Sequence, residues 1–345
     1  MKSTLQKITM VLPAALLMAS VSAPAANAEI KASYLYSLSD FYGLVPYSWT
    51  RVVLDNWNAE TYVLFQNNVK VFNGNGMEVY EFGDDIDVGI IYDVAIDEKT
   101  NIFLLTNNKQ KYSIVRCNYR GEPKQTIEIK GLPDELKGFI PFRMVYRKGN
   151  FYLASLGSMQ IAVVDRNGNC LASYNIKPML ELSEEEKKKG NEMDMVGFNV
   201  DNDGNMLFTI PAIFKVFRLT PDRKISSFGQ PGSIPGKFGI VSGVAEDNRG
   251  NYLVVDKLKS VVMVFDKDYT FITEFGHRGV NPDNFIVPDE IAIDKGEDPG
   301  PEDLVPEGTE PADPDTDQDQ PFQEGIPPAG GRGRHILRKI LPFLI

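Results

Sequence analysis

The sequence predicts an all-β fold, a six-bladed β-propeller. Three observations lead to this class. A repeat with copies 42 to 54 residues apart runs from about Tyr34 to Asp294. Each copy holds several short apolar strands, and turn-forming residues separate them. One such unit cannot bury both of its faces alone, so the copies are expected to stack radially around an axis.

The repeat is defined by an apolar triplet followed by an anchor residue. The anchors are Asp55, Asp97, Arg147, Asp201, Asp247 and Asp294. Asn167-Gly168 and Asp203-Gly204 fall between strands, where such pairs favour tight hairpins. Each of these turns is common by itself. The repeat is indicated because the strands and turns recur in the same order in five full copies. A sixth copy opens with residues 291–294.

The clearest copy carries a resemblance to a known family. Residues 250–256 read Gly-Asn-Tyr-Leu-Val-Val-Asp, and residues 264–266 read Val-Phe-Asp. This pattern resembles an NHL repeat, and the resemblance extends over about Tyr34 to Asp294. It implies a six-bladed propeller that binds proteins, peptides or, in some cytoplasmic relatives, RNA.

The first 28 residues have the features of a secretory signal peptide. Lys2 and Lys7 precede an apolar run over residues 8–18, and Ala26-Asn27-Ala28 matches a cleavage site. We therefore expect export to the periplasm or the cell exterior, with no transmembrane segment after cleavage. The sequence leaves open whether Cys117 and Cys170 form a disulfide.

The chain divides into a signal peptide (1–28), a propeller (29–295) and a tail (296–345). We expect the alternating segment Ile30 to Ser39 to close the ring as the outer strand of the last blade. The tail holds eleven acidic residues and no Lys or Arg between Gly296 and Gly331, within a chain of net charge −11. This composition predicts disorder. Either the tail is an acidic linker with a short basic and apolar binding peptide at its end, or it is an aberrant end that leaves the last blade incomplete.

The inventory of reactive residues argues against several chemistries. With only His277 and His335, a zinc site rich in histidine is excluded. Residues 201–205 resemble the start of a calcium loop, but the sixth and twelfth positions hold Met206 and Ala212, so a hairpin turn is predicted instead. The sequence has no stripe of basic residues of the kind that indicates binding to nucleic acid, so we expect no nucleic-acid partner. We assign no catalytic residue, no metal ligand and no cofactor.

The residues four positions before each anchor are expected at one mouth of the central channel. They are Arg51, Asp93, Arg143, Gly197, Gly243 and Glu290. Opposite charges at a constriction predict either a salt-bridged plug or a polar site for a small anion or a peptide terminus.

Loops on the same face contribute apolar and aromatic residues. Among them are Tyr47, Trp49, Phe139, Phe142, Ile213, Phe214 and Phe285. Aromatic and Arg side chains are common anchors of protein interfaces, although they also pack between blades. The sequence therefore predicts a monomeric scaffold that binds a protein or peptide partner in the cell envelope. The candidate binding residues are Arg51, Asp93, Arg143, Glu290, Trp49, Tyr47, Phe142 and Phe214. The alternative is a lactonase-like hydrolase or lyase with a metal at the channel mouth.

Overall fold

The computed structural model describes residues 34–40, 43–44, 51–55, 57–83, 87–190, 192–281, 284–293 and 340–342. Within these residues the chain forms five four-stranded antiparallel sheets, each a simple meander. This arrangement confirms an all-β propeller, but with five complete blades instead of the expected six. The predicted signal peptide, Tyr47, Trp49 and all of the predicted tail except residues 340–342 lie outside the described residues.

Each complete blade contains four consecutive strands. The first blade contains β3 (Arg51–Asp55), β4 (Glu60–Phe65), β5 (Asn68–Phe72) and β6 (Glu78–Phe82). The second contains β7 (Ile90–Ile96), β8 (Ile102–Asn108), β9 (Lys111–Cys117) and β10 (Pro123–Glu128). The third contains β11 (Arg143–Arg147), β12 (Asn150–Ser155), β13 (Gln160–Asp165) and β14 (Cys170–Asn175). The fourth contains β15 (Val196–Val200), β16 (Met206–Ile210), β17 (Lys215–Leu219) and β18 (Ile225–Phe228). The fifth contains β19 (Val241–Glu246), β20 (Tyr252–Asp256), β21 (Val261–Phe265) and β22 (Phe271–Phe275).

The remaining elements are short. Two small sheets pair β1 (Ser39–Asp40) with β2 (Gly43–Leu44), and β23 (Ile291–Ile293) with β24 (Ile340–Pro342). The helix α1 (Glu184–Lys187) begins with a capping box between Ser183 and Glu186. Single 3₁₀ turns span Asp134–Leu136, Lys177–Met179 and Pro211–Ile213. In the part of the chain that the structure describes, no helix has the length and apolar character needed to cross a membrane.

The first strands of the repeats form a closed ring around the axis. Each inner strand contacts the inner strand of the next unit, in the order β3, β7, β11, β15, β19 and β23. The last of these strands, β23, contacts β3 and closes the ring. The ring therefore has six inner strands, of which five carry a complete blade. We call the sixth place, which β23 and β24 occupy, the sixth position.

The blades pack face to face through apolar side chains. The strands β20 and β21 are buried along their whole length, because each faces a neighbour on both sides of the sheet. Phe198 and Phe208 lie in the cluster that fills the space between the third and fourth blades. Cys117 is buried and Cys170 is partly buried, and both are free thiols.

The anchor aspartates of the repeat hold the turns that leave the inner strands. Asp201 Oδ1 accepts hydrogen bonds from the backbone N–H groups of Asp203 and Asn205 at 2.9 and 2.8 Å, and its Oδ2 accepts one from Asn205 Nδ2 at 2.6 Å. Asp97 and Asp247 make the same contacts in their own turns. The 201–205 segment is therefore a hairpin turn, as predicted, with its buried carboxylate bonded to its own backbone.

The expected closure of the ring by the N-terminal strand is wrong for the described residues. Ser39 N donates to Gly76 O at 2.9 Å, and Leu38 packs against Val63 and Phe72 of the first blade. These two side chains lie on the face of the first blade that a complete sixth blade would cover. The segment therefore packs against that face instead of supplying an outer strand to the last blade.

We predict that Asp201→Ala lowers the free energy of unfolding by about 1–3 kcal/mol, because the substitution leaves buried backbone donors without an acceptor. The exposed Asp203 lies in the same turn and supplies a matched control, Asp203→Ala, which should change stability little. Urea denaturation measures both. Equal losses in the two variants, or a rise in Tm of the wild-type protein on adding Ca²⁺, would contradict the assignment of this turn.

Candidate functional site

The structure brings four of the predicted mouth residues together. Arg51 and Arg143 begin the inner strands β3 and β11, Asp93 lies in β7, and Glu290 directly precedes β23. Arg51, Asp93 and Glu290 are buried, with 6%, 0% and 7% of their surface exposed, whereas Arg143 is half-buried. We call these four residues the mouth cluster, and the side of the disc on which they lie the mouth face.

Arg51 is the centre of the mouth cluster. Its Nε donates to Asp93 Oδ1 at 3.0 Å, and its Nη1 donates to Glu290 Oε1 at 2.6 Å. On the other side, Arg143 Nη2 lies 3.6 Å from Glu290 Oε2. Two cations and two carboxylates thus alternate across the axis, which is the salt-bridged plug, one of the two arrangements predicted from the sequence.

Asp93 extends this network into the backbone. Its Oδ2 accepts a hydrogen bond from Met144 N at 2.6 Å, and its Oδ1 accepts a second one from Val94 N at 2.8 Å. Met144 belongs to the third blade, so this one carboxylate links the inner strands of the first three blades. A carboxylate with so many donors is well compensated for its burial.

The electrostatics of the mouth cluster follow from burial and pairing. Burial alone would lower the pKa of Arg51, but the attraction of Asp93 and Glu290 raises that pKa above its ordinary value. Burial raises the pKa of Glu290, and Arg51 and Arg143 offset only part of that effect. Arg51 is therefore a permanent cation, while the charged form of Glu290 is disfavoured by its burial.

The two glycines of the predicted mouth set have a packing role. A Cβ on Gly197, where φ is +57°, would lie 2.1 Å from Ser242 O, and one on Gly243 would lie 2.9 Å from Asp289 O. Gly243 N also donates to Asp289 O at 2.9 Å. A side chain at either position would therefore push neighbouring inner strands apart.

Apolar side chains surround the mouth cluster on two sides. Phe142 is 43% exposed, and its ring packs edge-on against Tyr92 at 5.6 Å and lies under the Arg143 guanidinium at 5.4 Å. Ile90 and Ile140 are exposed on the same side. We call Ile90, Ile140 and Phe142 the first apolar arc.

A second apolar arc lies across the axis and consists of Ile240, Leu258 and Val287, which are 41%, 63% and 38% exposed. Ile240 directly precedes β19, Leu258 lies in the β20–β21 hairpin, and Val287 lies in the connection to β23. The Lys257–Asp289 ion pair, at 2.8 Å, joins this arc to the residue before Glu290. The mouth face therefore presents a charged centre between two apolar arcs.

Sequence reasoning identified only part of this rim. Phe142 is exposed on the mouth face, but Phe139, Ile213 and Phe285 are buried and belong to the core. Phe214 is partly buried and has the Lys189 ammonium 5.0 Å from its ring centre. The prediction from sequence gave most weight to aromatic residues. It therefore missed four exposed aliphatic residues, Ile90, Ile240, Leu258 and Val287. Their positions at the ends of inner strands and at hairpins on this face were the signal that could have found them.

Below the mouth cluster the central channel holds a cavity of about 130 Å³. Its polar lining includes Arg147, Asn199 and Glu246. Arg147 Nη2 donates to Val200 O at 3.0 Å, while its buried Nε has no hydrogen-bond partner. Burial lowers the pKa of Arg147, against the attraction of Asp201 and Glu98. Within the described ranges, no group of three or more His, Cys, Asp or Glu residues could hold a metal ion.

Comparisons with known proteins find similar folds but no relative in sequence. No protein-family model and no curated protein matches the chain, so the NHL resemblance stays a prediction. Similar solved structures include virginiamycin B lyase from Staphylococcus aureus, with a TM-score of 0.46 and 15% identity over 70% of this chain and 72% of the lyase chain. Another is the calcium-binding protein regucalcin from Agrobacterium tumefaciens, with a TM-score of 0.49 and 12% identity over 75% of this chain and 84% of that one. At these values the β-propeller assignment rests on the arrangement of the chain's own sheets.

We predict that Arg51→Met lowers the free energy of unfolding by about 3–5 kcal/mol, because it leaves two buried carboxylates without their shared cation. Glu290→Gln should cost much less, since it keeps an acceptor oxygen for Arg51 and removes the carboxylate that burial disfavours.

Chemical denaturation at neutral pH measures both variants. The control is Lys224→Met, which removes an exposed ion pair with Asp222 and should leave stability unchanged. If Arg51→Met proved no more destabilising than Lys224→Met, the mouth cluster would not be a structural link between the blades.

Proposed function

We propose that the protein is an exported β-propeller of the NHL type that binds a protein or peptide partner of the cell envelope through its mouth face. The observation that carries this proposal is the uneven distribution of exposed apolar side chains. Among the described residues, eight of the seventeen large exposed apolar side chains lie in connections or strand ends on the mouth face, and three lie in turns of the opposite face. Such a concentration is typical of a protein interaction surface.

The composition of the mouth face supports a protein partner. Phe142 packs beneath Arg143, and pairs of an aromatic ring with an Arg are frequent at the centres of interfaces. The two apolar arcs supply area to be removed from water, while the mouth cluster between them fixes a pattern of charge that a partner must match. Arg143 is the half-buried member of the cluster and so the one most able to meet a partner directly.

Binding is favoured over the metal-dependent alternative by the engagement of the mouth carboxylates. Asp93 accepts hydrogen bonds from Arg51 and two backbone N–H groups, and Glu290 is held between Arg51 and Arg143. Holding a cation there would require both carboxylates to leave these partners. No observation of the described residues favours the hydrolase or lyase over partner binding.

The first test is a crosslinked pull-down from an envelope extract, with the tagged mature protein as bait and mass spectrometry as readout. We expect one partner in near-stoichiometric amount, and we expect the double variant Phe142→Ala, Leu258→Ala to lose it. Each substitution truncates an exposed apolar side chain, and truncation of a hot-spot residue of an interface costs about 2 kcal/mol or more in binding free energy.

The matched control is Trp57→Ala, Tyr119→Ala, which removes exposed aromatic residues from the opposite face, 61% and 69% exposed in the native protein. This control should retain the partner. Retention by the mouth variant together with loss by the control would place the interface on the opposite face and refute the proposal. An empty pull-down with the wild-type bait would refute it as well.

Export is the second testable part of the proposal. We predict that expression of the full chain in a bacterial host yields a protein in the periplasmic fraction whose first residue is Glu29, because Ala26-Asn27-Ala28 provides the small residues that signal peptidase recognises. N-terminal mass spectrometry measures the cleavage site. A variant with Ala28→Lys should accumulate uncleaved, and cytoplasmic retention of the wild-type chain would contradict export.

A further inference from the structure

The third repeat departs from the others at its anchor. Five of the six anchors are Asp, and the third is Arg147. The turn after Arg147 needs no side-chain anchor, because Lys148 and Gly149 have φ values of +47° and +85° and close a two-residue hairpin between Arg147 and Asn150. The guanidinium of Arg147 is therefore not required to hold its turn, unlike the carboxylate of Asp201.

Arg147 lies at the end of the central channel that is opposite the mouth cluster. The strand β11 begins with Arg143, which belongs to the mouth cluster, and ends with Arg147. Arg147 is one of the residues that line the channel cavity of about 130 Å³. A cavity of this size has room for several water-sized groups. The propeller thus places a guanidinium beside an internal space large enough for a small ligand.

The guanidinium of Arg147 has unused hydrogen-bonding capacity. Its Nη2 donates to Val200 O at 3.0 Å, while its buried Nε has no hydrogen-bond partner among the described residues. The N–H groups on Nε and on the adjacent Nη of an arginine form a parallel pair that matches the two oxygens of a carboxylate. A buried donor without a partner costs free energy, so an oxyanion placed against this edge would remove that cost.

The carboxylates near Arg147 attract it without using these donors. Asp201 accepts three hydrogen bonds from its own turn. Glu98 Oε2 accepts hydrogen bonds from the Tyr146 hydroxyl at 3.1 Å and from Arg166 Nη2 at 3.3 Å. Burial lowers the pKa of Arg147 in spite of the attraction of Asp201 and Glu98. The two carboxylates therefore compensate the burial of this cation only in part.

The other polar groups of the cavity restrict the charge of a ligand. Both amide atoms of Asn199 are engaged, since its Oδ1 accepts from Val200 N at 2.8 Å and its Nδ2 donates to Val244 O at 3.2 Å. Arg51 reaches the cavity from the mouth cluster, where its own carboxylate partners hold it. Glu246 is the acidic residue of the lining, and it would repel a ligand with two negative charges. The charges of the cavity thus favour a ligand with a single negative charge.

We propose that the central channel contains a binding site for a small monocarboxylate, whose two oxygens accept hydrogen bonds from the Nε and Nη edge of Arg147. The ligand enters from the opposite face, where β11 ends, because the mouth cluster crosses the channel at its other end. The site is separate from the mouth face, so its occupation does not depend on the function proposed above.

The test uses ¹³C-labelled acetate as the probe and the full-length protein. We expect saturable binding with a dissociation constant of about 1 mM, because a ligand with so few atoms makes few contacts. Broadening of the acetate methyl resonance measures the affinity. In the wild-type protein, the Nε–H signal of Arg147 should shift with the same dissociation constant and show a nuclear Overhauser contact to the acetate methyl group.

Two variants test the role of the guanidinium. Arg147→Lys keeps the charge but lacks the pair of parallel donors, and it should weaken acetate binding by about tenfold, the loss expected for a hydrogen bond to a charged group. The matched control is Arg223→Lys. Arg223 is exposed and also donates to a backbone carbonyl of the neighbouring blade, Ser173 O at 2.9 Å, but it does not line the cavity. This control should bind acetate as the wild-type protein does.

Acetate binding that is weakened by Arg147→Lys and retained by Arg223→Lys, together with the contact to the Arg147 Nε–H, would support the proposal. If Arg147→Lys failed to fold, the signals of the wild-type protein would decide alone. No binding to the wild-type protein, equal affinities of the wild type and Arg147→Lys, or shifts confined to other arginines would overturn the proposal. Chloride binding of equal affinity at Arg147 would overturn it too, because the pair of donors would then not select a carboxylate.

Discussion

The ring depends on the hydrogen-bonded ion pairs that Arg51 makes with Asp93 and Glu290. The two partners lie 42 and 239 positions away in the sequence, so the contacts join the first blade to the second and to the sixth position. In a radial repeat each unit packs mainly on its two neighbours. Arg143, which approaches Glu290 from the third blade, adds a link between units that are not adjacent. Buried charges are costly unless paired, so this network strongly disfavours any arrangement in which the sixth inner strand leaves the axis.

The pairing of these charges also shapes what the mouth face can do. Asp93 and Glu290 are occupied by arginines and backbone donors, so in the proposed function recognition falls to the half-buried Arg143 and to the two apolar arcs. The arcs lie in connections between blades, in one hairpin and at one strand end, where exposed side chains can vary without disturbing the core.

The candidate site could be predicted from the sequence only in part. The convergence of Arg51, Asp93, Arg143 and Glu290 followed from their constant distance to the anchors, because a repeat that closes on itself brings equivalent positions to one level of the axis. Four of the anchors, Asp55, Asp97, Asp201 and Asp247, proved to hold turns through hydrogen bonds to their own backbone. The apolar residues around the mouth cluster were harder to predict from the sequence. Phe139 and Phe285 are buried while Ile240 and Leu258 are exposed, and no local pattern separates these cases, because burial of a loop residue depends on which blade stands beside it.

The sequence by itself determined the all-β class, the repeat, the turns and the level of the axis at which the charged residues meet, since each of these depends on local patterns and their spacing. The tertiary structure decided how many blades are complete and what the N-terminal segment contacts. Residues 34–40 alternate in a way that suits a strand, yet Leu38 packs on Val63 and Phe72, where the first blade has an apolar face to cover. The physical reason is that strand alternation specifies two faces but not a partner. The partner is chosen by whichever apolar surface the closed ring leaves uncovered.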